Sequence, residues 1–289
     1  EDEFNGLGGS INVAIDIPTD TLAAFQVLKQ EFPKYNNLAV IPIMLEHHVY
    51  SIIKDRTSAL NELDELISRN VLRKIYITTR ADDTAIVFAR DYKSIITKKI
   101  ERYSTGKKLR ALKLYIKIID FISNPSFTLE EFRHCCETVA TQDNVMLAKK
   151  SCEDSSSESN PSTLDKTDCE INEQKKGHYS REKCLHILGL LREEGLLLKR
   201  GIQQGFESFW IGIPGIGKFC KQIINGRKQV FSIIRRLPFK EILETDLLQR
   251  KVKNVDMNIQ FFIRDMIGSG KIVALSTTSG TLLRLRNNS

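Results

Sequence analysis

What the 289-residue sequence lacks excludes several protein classes at once. It has no run near the 18 apolar residues of a membrane-spanning helix; the longest candidate, Phe209 to Gly217, is short and contains Pro214. No membrane partner is expected. Glu1 to Ser10 is acidic and glycine-rich, without the basic start and apolar run of a signal peptide. A chain that starts at Glu rather than Met leaves an earlier targeting segment open. There are six cysteines and no Cys-x-x-Cys pair; Cys135 and Cys136 are adjacent, while Cys152 and Cys169 lie in a polar stretch. Neither a disulfide framework nor a zinc site is expected, and a reducing compartment is the natural home. His134 beside Cys135 and Cys136 is better read as part of a packed helix than as a metal cluster, so no metal or other cofactor is expected.

Catalytic signatures are missing too. A protein kinase needs a glycine-rich loop, a strand lysine, an H-R-D catalytic loop and D-F-G. The two Arg-Asp pairs, Arg90-Asp91 and Arg264-Asp265, lack the preceding His, and no D-F-G occurs. Gly212 to Lys218 (GIPGIGK) matches the spacing of a phosphate-binding loop, but Phe219 stands where Mg²⁺ binding needs Ser or Thr. Pro214 removes an N–H from that loop. The plainer reading is the end of a strand, a helix started by Pro214, and glycines that allow close packing. Five scattered histidines support no hydrolase chemistry. A non-enzyme is expected.

What is present is enough chain for two or three domains, 41% apolar and 27% charged. Ser151 to Lys176 is rich in Ser and acid and nearly without large apolar residues, and reads as a disordered insert. Ser151, Ser155, Ser162 and Thr167 each precede an acid by three positions, an acidophilic-kinase spacing, although incidental hydroxyls in a solvated linker are the better reading. Outside the insert, one pattern occurs three times: an amphipathic helix, a stop at Asn or Gly, then two short strands around a turn. The first copy is Thr57 to Arg69, with Leu60, Leu63 and Ile67 in its stripe, then Val71 to Ile77 and Ala85 to Phe88 around Ala81-Asp82-Asp83. The second is Ser180 to Glu194, with Ser180 as N-cap, then Leu196 to Arg200 and Ser208 to Ile213. The third carries Ile259, Phe262, Ile263 and Met266, stops at Gly268-Ser269-Gly270, and pairs Lys271 to Ser276 with Thr281 to Leu285. Two more helices precede each copy: Thr21 to Phe32 with Pro42 to Lys54, Lys107 to Ser123 with Leu129 to Thr138, and Gln229 to Arg236 with Phe239 to Gln249.

Three helices and a two-stranded wing make a winged helix. The expected fold is therefore α+β, mostly helical, with three tandem winged-helix domains. The expected boundaries are a flexible N-terminus 1–17, then 18–104, 105–225 with the insert at 149–177, and 226–289.

The formal net charge is +7, and its placement matters more than its size. Lys93 to Lys117 holds nine basic residues against Glu101, and Lys218 to Lys253 holds ten against three acids. At 100° per residue, Lys218, Lys221, Lys228, Arg235 and Arg236 share about a 100° arc opposite Phe219, Ile223, Val230 and Ile234. Asn225-Gly226 is expected to break this helix. The repeated helices are poor base readers: the first carries Glu62, Asp64 and Glu65, and the third is largely apolar. Binding to the DNA backbone with little sequence preference follows. The expected contacts are Arg56, Lys218, Lys221, Arg227, Lys228, Arg235, Arg236, Lys240, Arg250, Lys251 and Lys253. A protein-interaction scaffold without DNA is the alternative; RNA binding and homodimerisation stay open.

The segments Ile213 to Phe219 (IPGIGKF), Asn225 to Gln229 (NGRKQ) and Ser276 to Leu285 (STTSGTLLRL), with Asp55-Arg56-Thr57 after Val49-Tyr50-Ser51, resemble the serine/threonine-protein kinase 19 family over about residues 20 to 285. That resemblance implies tandem winged-helix nuclear proteins that bind DNA on chromatin and act in transcription-coupled nucleotide excision repair. It also implies contacts with stalled RNA polymerase II and repair factors, and DNA contacts at the matching Arg56, Arg227, Arg235, Arg250 and Lys251. The acidic insert and Pro238 depart from the family pattern.

Overall fold

The computed structural model describes residues 19–32, 41–77, 84–153, 179–203, 206–253 and 255–286. The N-terminal segment 1–17, the Ala81-Asp82-Asp83 turn and the insert beyond Glu153, with Ser155, Ser162 and Thr167, lie outside these residues. Among the described residues the chain is a mixture of helix and strand built around three small antiparallel sheets.

Around the first sheet run α1 (Asp20–Glu31), β1 (Met44–Leu45), a 3-10 helix (Glu46–Ser51), α2 (Arg56–Ser68), β2 (Leu72–Tyr76) and β3 (Thr84–Phe88). Asp55 caps α2 by accepting from the N–H groups of Thr57 (3.0 Å) and Ser58 (3.2 Å). Its buried stripe is Ala59, Leu63 and Leu66; Leu60 is exposed, so the helix sits rotated from the expected Leu60-Leu63-Ile67 face. Asn70 ends it in the left-handed region at φ 59°. Then follow α3 (Ala89–Ile100), α4 (Lys107–Ile118), β4 (Ser126–Thr128), α5 (Leu129–Glu153), α6 (Arg181–Glu193), β5 (Leu197–Gln203) and β6 (Phe206–Ile211). Ser180 does cap α6, accepting from the Lys183 N–H at 3.3 Å. The last stretch is α7 (Ile216–Arg235), β7 (Glu241–Leu243), α8 (Glu244–Leu248), α9 (Ile259–Gly268), β8 (Ile272–Thr277) and β9 (Gly280–Leu285).

Each sheet has three strands, in the orders β1-β3-β2, β4-β6-β5 and β7-β9-β8. The hairpins match the sequence pattern. The outer strands β1, β4 and β7 do not appear in it, because two or three residues are too few to display an alternation of period two. Two expected helices change accordingly. Pro42 to Lys54 holds β1 and the 3-10 helix, and Phe239 to Gln249 holds β7 and the short α8. α5 runs on past Thr138 to Glu153, reaching three residues into the Ser-rich segment.

Asn225-Gly226 does not break α7, which is continuous for 20 residues. A boundary at 225/226 falls inside it. Gly226 is there because Phe262 of α9 lies against the helix backbone: a Cβ at Gly226 would sit 2.1 Å from the Phe262 ring. Pro214 does not begin the helix; Gly215, left-handed at φ 79°, is its N-cap. Phe219, at the position a phosphate loop reserves for a hydroxyl, is fully buried.

The sheets are not separate beads. One apolar core runs from Ile43 through Leu112, Phe132, Leu191, Phe219 and Val230 to Phe262 and Leu285, and a smaller cluster fills the space between α1, α2 and the first sheet. Buried Arg73 of β2 donates to the carbonyls of Ile119 (2.8 Å) and Ile122 (2.5 Å), satisfying acceptors just past the end of α4. Tyr92 of α3 donates to the Gly212 carbonyl at 3.1 Å and meets the Tyr115 hydroxyl at 3.2 Å. α9 packs on the 3-10 helix so closely that a Cβ at Gly268 would lie 1.9 Å from the His47 carbonyl oxygen.

Candidate nucleic-acid interface

α7 is the scaffold of the site. Phe219, Ile223, Gly226, Val230 and Ile234 are buried along one face. Lys218, Lys221, Lys228 and Arg235 are exposed along the other, with Arg236 as C-cap. Because the helix does not break, the five cations form one file about 27 Å long. Exposed Ile224 and Phe231 stand among them. Among the described residues, none of these five cations forms an ion pair.

The C-terminal half of α7 forms one wall of a groove of about 670 Å³. Its cationic lining is Arg227, Lys228, Arg235, Lys240, Lys271 and Arg286, with Phe231, Met266 and Leu285 between them and, among the described residues, no carboxylate. Lys271 and Arg286 were missed by the sequence reading. They flank the Ile272–Leu285 pair of the third hairpin, and the Arg286 N–H donates to the Lys271 carbonyl at 2.9 Å. Antiparallel register alone brings these two bases, 15 positions apart in sequence, to one end of the sheet. Their signal was a cation at the first residue of the expected hairpin and another just after its last.

Arg227 is placed differently from its neighbours. Its Nε and one terminal nitrogen each donate to Asp265 at 2.7 Å, a two-pronged pair around a carboxylate with no exposure. His47 Nε2 meets the same carboxylate at 2.8 Å, and fully buried His48 lies 3.6 Å away. Burial alone would raise the Asp265 carboxyl, but His47, His48 and Arg227 outweigh it and hold it well below the usual range. Burial pushes the His48 imidazole below its ordinary value, partly offset by Asp265. Two imidazoles and a carboxylate could hold a cation. Here both Asp265 oxygens already face a guanidinium, which would repel a divalent ion, so the cluster is an electrostatic joint between α7, α9 and the 3-10 helix. Arg227 reaches the groove wall with its charge compensated.

The remaining expected contacts are dispersed. Arg56 begins α2, exposed, with its guanidinium 5.1 Å from the Tyr50 ring centroid, and does not line the groove. Lys240 lines the groove from the turn after α7. Arg250 lines a different cavity that also contains Glu241 and Asp246. Lys251 and Lys253 are exposed, and Gln229 of α7 holds their segment: its Oε1 accepts from the Lys253 N–H (2.8 Å) and its Nε2 donates to the Lys253 carbonyl (2.6 Å). The other basic run is compensated at three of its nine cations. Lys93 pairs with Asp120, Lys99 with Glu194, and Lys108 with Glu193.

Beside the groove, Pro238-Phe239-Lys240 makes a tight turn closed by the Lys240 N–H on the Leu237 carbonyl at 3.1 Å. Phe239 adopts φ 57°, ψ 2°, close to the third position of a type II turn, where Gly or Asn is favoured. Lys240 is also left-handed, at φ 56°. Such a conformation costs on the order of 1–3 kcal/mol per non-glycine residue. The Phe239 side chain is 89% exposed.

Neither α9 nor α2, two of the three helices preceding the hairpins, presents a base-reading face. α9 is packed away, with Ile259, Phe261, Phe262, Ile263, Asp265 and Met266 all buried. α2 presents Asp64 and Glu65 to solvent, while Glu62 accepts from the Thr21 N–H at 3.2 Å. Among the described residues no helix is long and apolar enough to cross a membrane.

The family described as "Inactive serine-threonine protein kinase 19" matches residues 16–285. A human protein named "Winged helix repair factor 1" is 27% identical over 270 residues, covering 93% of this chain and 86% of its own length. The Dictyostelium discoideum protein of that name is 25% identical over 289 residues, 95% of this chain and 66% of its own. The Xenopus laevis protein of that name is 44% identical over 79 residues, 27% of this chain and 30% of its own. The inactivity in the family's description agrees with the missing phosphoryl-transfer motifs, and the relatives' name agrees with the repeated helix and hairpin pattern.

Proposed function

Because the chain belongs to the inactive serine-threonine protein kinase 19 family, we propose that it is a non-enzymatic repair factor that grips duplex DNA by its phosphate backbone. It is built from three tandem winged helices, 18–104, 105–225 and 226–289, with α7 shared between the second and third. Its proposed setting is the nucleus, in transcription-coupled nucleotide excision repair on chromatin, with stalled RNA polymerase II and repair factors as partners. The groove whose described lining holds six cations and no carboxylate, continuous with the cation file of α7, is the observation that carries this reading. Lys218, Lys221, Lys228, Arg235, Arg236 and Lys240 supply the contacts, joined by Lys271 and Arg286. Arg250, Lys251 and Lys253 lie beside this track, Arg56 forms a separate contact, and Arg227 positions the groove wall through Asp265.

Phosphate contact by six to ten cations gives log K a slope of roughly −5 to −9 against log salt. Arg235→Glu should weaken unrelated duplexes alike, since backbone contacts carry no sequence information. A flat salt response removes the proposal. The alternative, a protein-docking scaffold, draws on the acidic outer face of α2 and predicts partner binding without duplex affinity.

A further inference from the structure

Phe239 has the highest exposure of any large apolar side chain among the described residues. It gains little from the fold, since nine-tenths of its surface stays in water. Its backbone is held where Gly or Asn would be at ease, so local structure does not account for the ring either. Pro238 and the Lys240-to-Leu237 hydrogen bond close the turn that displays it. Its position is informative. Lys240, the next residue, lines the basic groove, and so does Arg235, four residues before. The nearest carboxylate in sequence, Glu241, is matched by Arg284 at 2.5 Å. An exposed π face on a hydrogen-bonded turn, beside a cationic groove whose described lining holds no carboxylate, suits a ligand that is anionic along its length and has flat aromatic faces.

We propose that Phe239 stacks on an unpaired or unstacked nucleobase of DNA whose backbone lies in the groove, giving the protein a preference for interrupted over fully paired duplex. In an intact duplex every base face is covered by its neighbours. An exposed ring therefore finds a partner only at a bulge, a bubble or a step it prises open. This deepens the proposed function and rests on it: the groove supplies affinity for any duplex, and Phe239 supplies the distinction between paired and unpaired sites.

The test is fluorescence anisotropy with the full chain at fixed salt. Its probes are a fully paired duplex and the same sequence with a central bubble carrying 2-aminopurine. The wild type should favour the bubble by roughly 5- to 150-fold, the range stacking on one base supplies, and quench the 2-aminopurine. Phe239→Ala should bind the bubble no better than the duplex while keeping duplex affinity. Phe239→Trp should restore both preference and quenching. Equal binding of both probes by the wild type, or a preference that survives Phe239→Ala, overturns the stacking role while leaving duplex binding in place. Failure of the wild type to bind either probe refutes the groove as a DNA site, and the stacking role with it.

Discussion

Asp265→Asn removes the charge at the joint between α7, α9 and the 3-10 helix while keeping the side chain's shape. The carboxylate is fully buried, and the Arg227 side chain retains only 19% exposure. Breaking a buried ion pair on one side typically costs about 3–5 kcal/mol, because the surviving charge stays desolvated. The residual exposure of Arg227 places this case near 3 kcal/mol. For a chain of this size each kcal/mol moves the melting point by about 2–4 °C, so a fall of roughly 6–12 °C is expected in thermal unfolding followed by circular dichroism at pH 7. The double variant Arg227→Met, Asp265→Leu removes both charges, and should recover at least half of that loss, since desolvation offsets much of an ion pair's attraction. A single variant within about 1 kcal/mol of wild type would refute the reasoning and show the cluster to be hydrated.

Gly226→Ala should gain up to about 1 kcal/mol of helix propensity but lose about 1–3 kcal/mol by forcing Phe262 aside. Net destabilisation in denaturant unfolding, relieved when Phe262→Leu is added, is the expected outcome. Gly268→Ala should cost more than Gly226→Ala in the same assay, since the obstacle is the His47 backbone rather than a ring. For His48, burial lowers the folded-state pKa from the ordinary 6.5, so below that pH the unfolded chain takes a proton the folded chain refuses. Stability should fall as pH drops from about 7, by at most about 1.4 kcal/mol per pH unit, and His48→Gln should flatten this slope. Asp265, shifted the same way, keeps its contribution above about pH 4 and loses it only in stronger acid.

Much of the architecture was legible in order along the chain. Ser180 before α6 and Asn70 after α2 are local signals, because helix capping acts within a few residues. The cation file was legible for the same reason: helical geometry alone puts Lys218, Lys221, Lys228 and Arg235 on one side. Gly226 misled because a glycine in a helix reads as a break, unless the chain that needs the space is known. Here that chain is Phe262, 36 positions later. Arg227 read as another surface cation, since nothing nearby announces Asp265.

Helix and hairpin content, the three-fold recurrence and the sign of the charge were thus determined by the sequence alone, through forces that reach only a few residues. Tertiary structure decided which cations share a groove, that Lys271 and Arg286 join them, that Arg227 is compensated by a buried carboxylate, and that α9 faces inward. Those outcomes depend on Coulomb and packing contacts between residues far apart in the chain, whose distances exist only once the core has closed.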